Sequence, residues 1–324
     1  MLCDRHNRVI TYLRISVTDR CNFRCTYCLP EDGIEWLPRE SILTFEEIAR
    51  VATVGASLGL KKIRLTGGEP TLRRDLPTLV QMLRAIDGVE EIALTTNASR
   101  LDELAQPLHD AGLSSVNISL DSLQSERANA LARRDVFADV QRGIEAAVRS
   151  GLKLKFNAVV SRGVNDDELC DLVHFAHERG APMRFIEMMP MGDTAAHQRE
   201  ALVSTEEMRA TLQRDFELQP EAPEDGAARG WKCTKTEARV AFISSMSEAF
   251  CDTCNRMRLT AEGGLRPCLH QNAEVDVRAL LRNNARDDEL QNAFRQAADL
   301  KWAGHHMTDV IPLHSIKNMI SIGG

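Results

Sequence analysis

Three cysteines within eight residues, Cys21, Cys25 and Cys28, constrain this chain more than any other feature, because a loop that gathers three thiols is shaped around metal rather than around an apolar core. The CxxxCxxC spacing can ligate three corners of an iron–sulfur cube and leave the fourth iron open to a small molecule, whereas clusters held by four cysteines mostly move electrons. Structural zinc sites usually use separated CxxC or CxH pairs, and no fourth Cys or His stands near this triad. A disulfide would leave one of the three unpaired. Tyr27, between two of the thiols, reads as an aromatic that packs over the metal and shields it from water.

At 324 residues with 43% hydrophobic content, the chain has room for one large barrel or two modest domains. Of its nine cysteines, six fall in two clusters and only Cys3, Cys170 and Cys233 are scattered, a usage that fits a reducing compartment. No apolar run approaches the roughly eighteen residues of a membrane span, and the N-terminus lacks a signal peptide's apolar stretch. The expectation is a cytoplasmic protein that does not touch the membrane. A formal charge of −7 excludes a general nucleic-acid surface, so any anion site must be local. Residues 219–230, acidic and rich in Pro, Ala and Gly, read as a surface loop that divides the chain into 1–218 and 219–324.

Between residues 11 and 190, β-favouring runs at 12–17, 62–66, 91–96, 115–120, 153–160 and 183–187 alternate with amphipathic stretches such as 45–58, 75–86, 136–150 and 166–179. Repeated strand–helix units imply a parallel sheet, and six strands in series suggest an incomplete TIM-type β/α barrel. Polar residues then fall at carboxyl ends of strands, where barrel enzymes place their chemistry. Gly67-Gly68-Glu69-Pro70, Thr95-Thr96-Asn97, Ser119-Leu120-Asp121 and Met189 follow successive strands, and Asn157 sits within the fifth. Each by itself is an ordinary turn residue; their recurrence is the signal. The paired glycines let backbone approach a ligand closely, and Glu69 presents an acceptor.

Arg14, Arg64, Lys155 and Arg184 interrupt otherwise apolar strands, with Glu187 the matching in-strand acid. Charges there need partners, and a set of cations suggests a cage for phosphates. Farther on, Cys251, Cys254, Cys268 and His270 have a spacing that serves a Cys₃His zinc ribbon and an iron–sulfur cluster equally well. Arg256 and Arg258 tilt the choice toward the cluster, since alternate residues of a short strand share one face and a structural zinc has no need of that charge.

The cysteine motif and Gly67-Gly68-Glu69-Pro70 resemble those of the radical S-adenosylmethionine (SAM) enzymes. Within them, the runs 12–28, 63–75, 184–187 and 254–260, with the closing Gly323-Gly324, resemble the GTP cyclases of molybdenum-cofactor biosynthesis, the MoaA family, over essentially the whole chain. The resemblance implies a radical SAM type of incomplete barrel, and a C-terminal α+β extension carrying a second cluster. It implies two 4Fe–4S clusters: one on Cys21, Cys25 and Cys28 that cleaves SAM to a 5′-deoxyadenosyl radical, and one on Cys251, Cys254 and Cys268 that holds the guanine of GTP. Tyr27, Gly68, Glu69, Ser119 and Met189 would line the SAM pocket. Arg14, Lys62, Arg64, Lys155, Arg184, Arg256 and Arg258 would contact GTP, mostly its phosphates, with Thr95 beside them. Hydrogen abstraction at the ribose 3′ carbon and attack on guanine C8 would give 3′,8-cyclo-7,8-dihydro-GTP, with no side-chain acid or base for the abstraction. The resemblance further implies a homodimer, and hand-off of product to MoaC, the cyclic pyranopterin monophosphate synthase. An electron donor is required, and no motif names it.

In the same family the tail inserts toward the active site, where glycines, lacking side chains, thread a narrow channel. Deleting Gly323 and Gly324 is therefore expected to lower GTP turnover; equal rates for the two chains would refute that role.

Overall fold

The computed structural model describes residues 1–190, 195–222, 226–305 and 319–322; Gly323 and Gly324 lie outside them. All six expected strands form: β1 Tyr12–Ser16, β2 Lys62–Thr66, β3 Glu91–Thr96, β4 Ser115–Ser119, β5 Lys153–Val160 and β6 Met183–Glu187. β1 and β4 each stop one residue short of the expected end. Consecutive strands pair in parallel, in sequence order. The helices between them include Phe45–Ser57, opened by a reciprocal Thr44–Glu47 capping box, a pattern that satisfies two otherwise orphaned backbone donors.

Two further parallel strands come from the later part of the chain. After the short β7 Leu218–Pro220 and β8 Arg229–Cys233 come β9 Arg239–Ile243, which pairs in parallel with β6, and β10 Arg256–Leu259, which pairs in parallel with β1. β11 Gly264–Arg266 and β12 Val275–Asp276 then add antiparallel to β10. The full order is β12-β11-β10-β1-β2-β3-β4-β5-β6-β9-β8-β7, an open barrel. Its eight-stranded parallel run is wider than the six strands expected. Residues 219–230 are not simply a loop: Gln219 and Pro220 belong to β7, Arg229 and Gly230 to β8, and the two strands pair antiparallel. Backbone pairing here overrides a composition that reads as irregular.

The core lies between sheet and helices, and the strands show why. Along β5, Leu154, Phe156, Ala158 and Val160 are buried, while the alternating Lys155, Asn157 and Val159 line the barrel interior, as the two-residue period of a strand requires. Phe156 meets the ring of Phe175 edge-on at 5.5 Å. On the seam with the later strands, Phe185 of β6 packs on Phe242 of β9 at 6.2 Å. Both are almost wholly buried. Truncating Phe242→Ala should therefore cost about 3–5 kcal/mol of unfolding free energy in a urea titration of the metal-free protein, whereas a loss below about 1 kcal/mol would mean that β9 does not share the core.

Candidate active site

The barrel interior is a cavity of about 620 Å³ lined by both cysteine triads, the five residues of the expected SAM pocket, the seven cations and Thr95.

The first triad sits on the loop after β1. Cys28 N and Leu29 N both donate to Cys25 O, at 2.9 and 3.0 Å, and Arg24 N and Thr26 N donate to Ala132 O and Leu131 O, at 2.9 and 3.0 Å, so the loop is coiled on itself and sewn to the helix Ser125–Ala132. Gly68 N and Glu69 N donate to Thr18 O and Arg20 O, both at 2.8 Å. A Cβ on Gly68 would stand 2.2 Å from Arg20 O. The close approach that demands glycine is thus to the backbone leading into the cysteine loop. Glu69 is turned inward as well: its carboxylate accepts from Thr71 N (3.0 Å), Thr71 Oγ1 (2.6 Å), Thr96 Oγ1 (2.6 Å) and Asn97 N (2.7 Å). Three of these bonds fall on Oε1 and one on Oε2, so Glu69 ties the ends of β2 and β3 together while Oε2 keeps acceptor capacity and the residue still lines the cavity. Tyr27 Oη donates to Asp121 Oδ2 at 2.6 Å, a polar anchor that fixes its ring.

Burial pushes the Cys21 thiol up to about 11, Cys28 up to about 12 and Cys25 well above the usual range. These thiols stay protonated until a metal takes the charge. N–H groups nonetheless already point at sulfur: Phe23 N at Cys21 Sγ, 3.4 Å, and Ile320 N at Cys28. The segment Met319–Ile322 therefore reaches this loop, and Ile322, fully buried, packs with Met189, Met246 and Leu269.

The cations stand in rows fixed by strand register. Arg256, Tyr12, Lys62 and Glu91 align across β10, β1, β2 and β3, and Arg258, Arg14 and Arg64 align one step later, two residues along each strand. Arg64 donates Nε to Tyr12 Oη and Nη1 to Thr95 Oγ1 at 3.2 Å; Lys62 pairs with Glu91 at 2.5 Å. Glu91 is an in-strand acid overlooked from sequence. Glu187 is spent elsewhere, accepting from Thr205 N, Met246 N and Ser247 N at 2.8, 2.7 and 2.9 Å. Burial, reinforced by Arg14 and Arg256, holds Arg258 well below the usual arginine range, and burial lowers Arg14 to about 10. Burial alone would raise Tyr12, but Arg64, Arg14 and Lys62 outweigh it and bring the phenol to about 8. All three shifts report a positive potential concentrated in a dry space, which a polyanion relieves.

Cys251 opens a 3₁₀ turn ahead of β10, Cys254 follows that turn, and Cys268 follows β11. Sequence reasoning missed Tyr12, Asn117 and Lys301, which also line the cavity. Tyr12 and Asn117 had a usable signal, a polar group at an inward strand position; Lys301, beyond a helix, had none. Burial raises the Cys254 thiol, but Arg256 and Lys301 more than reverse that and bring it to about 6.

The pattern describing the Radical SAM superfamily matches residues 15–176, and that of Molybdenum Cofactor Synthesis C matches residues 181–307. The chain is 46% identical to the GTP 3′,8-cyclase of Moorella thermoacetica, covering 94% of this chain and 95% of that one. It is 41% identical to the GTP 3′,8-cyclase of Syntrophomonas wolfei, covering 100% of both. SuiB of Streptococcus suis, solved with S-adenosylmethionine bound, shares the fold, with TM-score 0.61, 16% identity and coverage of 90% of this chain and 69% of that one.

Metal-free protein pulsed with iodoacetamide should label Cys254 ahead of Cys21 and Cys28, with a rate that climbs through about pH 6 as the thiolate forms. Labelling of Cys254 that rises only above about pH 8, the ordinary thiol range, would show that the neighbouring cations do not act on it.

Proposed function

We propose a division of labour within this cavity on the footing that the chain belongs to the GTP 3′,8-cyclase family of radical SAM enzymes. It is an enzyme that converts GTP to 3′,8-cyclo-7,8-dihydro-GTP, the first step of molybdenum-cofactor biosynthesis, with a 4Fe–4S cluster and SAM as cofactors. The observation that carries the assignment of residues is the meeting of two cysteine triads and a register of buried cations in one cavity.

Cys21, Cys25 and Cys28 fit a three-thiolate cluster: they share one coiled loop, and backbone N–H groups already face two of the sulfurs. Held there with SAM bound, the cluster would supply the one-electron radical chemistry needed for hydrogen abstraction from GTP. The backbone at Gly68, with Tyr27, Glu69, Ser119 and Met189, would hold SAM, and Glu69 would also keep the loop in shape. Arg14, Lys62, Arg64, Lys155, Arg184, Arg256 and Arg258 would grip the triphosphate, with Thr95 carried on the Arg64 guanidinium. Nothing in this chain needs to donate or accept a proton during the abstraction. Its task is to orient two ligands and to exclude water and stray donors.

Cys251, Cys254 and Cys268 would hold a second 4Fe–4S cluster, which would offer a coordination site to the guanine. One feature supports cluster over zinc: cations crowd Cys254, and a structural zinc has no need of that charge. Family membership also supports a cytoplasmic homodimer that passes its product to MoaC, and a division into a barrel, 1–218, and a cluster-bearing extension, 219–324. The described residues include no helix long and apolar enough to cross a membrane.

Anaerobically reconstituted enzyme should carry about eight irons per chain and negligible zinc, and should form deoxyadenosine in a GTP-dependent manner. Replacing Cys251, Cys254 and Cys268 by Ala should halve the iron and abolish the cyclised product. About four irons and one zinc in the unaltered chain would overturn the second cluster.

A further inference from the structure

Lys301 is buried, 3% exposed, just past the helix Asp287–Asp299. Its ammonium donates to Arg256 O at 2.8 Å and to Pro267 O at 2.7 Å. Arg256 lies two residues after Cys254, and Pro267 immediately precedes Cys268. One side chain thus spans the two backbones that present two of the three thiols of the second triad.

The segment around Lys301 is itself held. Gln271 Nε2 donates to Leu300 O at 2.9 Å and Gln271 Oε1 accepts from Trp302 N at 3.3 Å. Arg8, paired with Asp4 at 2.6 Å, donates to Trp302 O at 2.5 Å, to Ala303 O at 2.9 Å and to Cys251 O at 2.7 Å. Residues 300–303 therefore back all three cysteines, with Lys301 behind Cys254 and Cys268 and Arg8 joining the stretch to Cys251.

Bridging two carbonyls needs only donors, which a neutral amide also offers. An ammonium buried for that purpose alone is a costly choice, because its charge must leave water. The charge makes sense if something beside it gains negative charge. Lys301 borders the cavity that Cys254 and Cys268 also line, and a fixed cation in a low-dielectric setting stabilises an added electron on its neighbour.

We propose that Lys301 is a positioning residue of the second triad: it sets the separation of the Cys254 and Cys268 backbones and supplies a fixed cation that makes a cluster there easier to reduce. The proposal rests on the second-cluster reading above. Its test is an EPR-monitored redox titration of the anaerobically reconstituted full chain, comparing wild type with Lys301→Gln and Lys301→Arg, with iron and zinc counted in each. Lys301→Gln keeps a donor without the charge, so the midpoint of the second cluster should move to more negative potential while that of the first, an internal reference, stays in place. Lys301→Arg should restore the wild-type midpoint. A Gln variant whose second midpoint does not move, or whose two midpoints move together, overturns the proposal. Should Lys301→Gln lose the iron of the second triad, retention in Lys301→Arg supports the proposal and loss in both overturns it. Zinc in the second triad of the wild type would instead refute the second-cluster reading itself, before any variant is compared.

Discussion

Repulsion among buried cations is what the rest of this structure must contain. Arg258, Arg14 and Arg64 stand side by side on three adjacent strands, with Arg64 and Arg258 almost wholly out of water. On flexible elements such a group would swing apart into solvent. Here each guanidinium is rooted in a strand whose neighbours are locked in parallel register and whose opposite face is packed against helices. The sheet therefore sustains the strain, while Tyr12, Thr95 and Glu91 give partial relief through hydrogen bonds and one ion pair. If these cations grip the triphosphate as proposed, a site held this way would need little reorganisation when the anion arrives, because its charges are already fixed by the sheet.

Within one cavity Cys254 has an electrostatic setting unlike that of the first triad, whereas burial raises its neighbour Cys251 as it does those thiols. Around Cys21, Cys25 and Cys28 burial dominates and keeps thiols neutral. Around Cys254 the cations win over burial. Similar ligand types are thus given different electronic settings by their surroundings alone, the lever by which proteins tune metal centres.

Most of the barrel and most of the site could be read from sequence because both are local signals. β1 to β6 alternate with helices, and the in-strand charges Arg14, Arg64, Lys155 and Arg184 violate a simple apolar pattern. What escaped depends on contacts remote along the chain. Nothing in residues 239–243 or 256–259 says that they extend a parallel sheet begun by residues far upstream, since neither joins the strand–helix alternation. Glu69 reads as a ligand, and that it also ties β2 to β3 shows only once Thr71, Thr96 and Asn97 are seen to donate to it. Lys301 is an ordinary lysine in sequence, and only the return of its segment onto Arg256 and Pro267 gives it meaning. Residues 219–230 misled in the other direction, since a Pro- and Ala-rich composition conceals strand ends that pair.

The adjacency of β10 and β1 has a consequence for how the molecule comes into being. Tyr12 pairs with Arg256, so the first strand emerges from the ribosome with one edge bare and keeps it bare until most of the polypeptide has followed. Such remote pairings slow folding and leave intermediates exposed to aggregation. They also act as a fail-safe: a prematurely terminated chain has the first cysteine loop but not the wall beside it, so an incompletely synthesised molecule never encloses the space in which a free radical is kept from the rest of the cell.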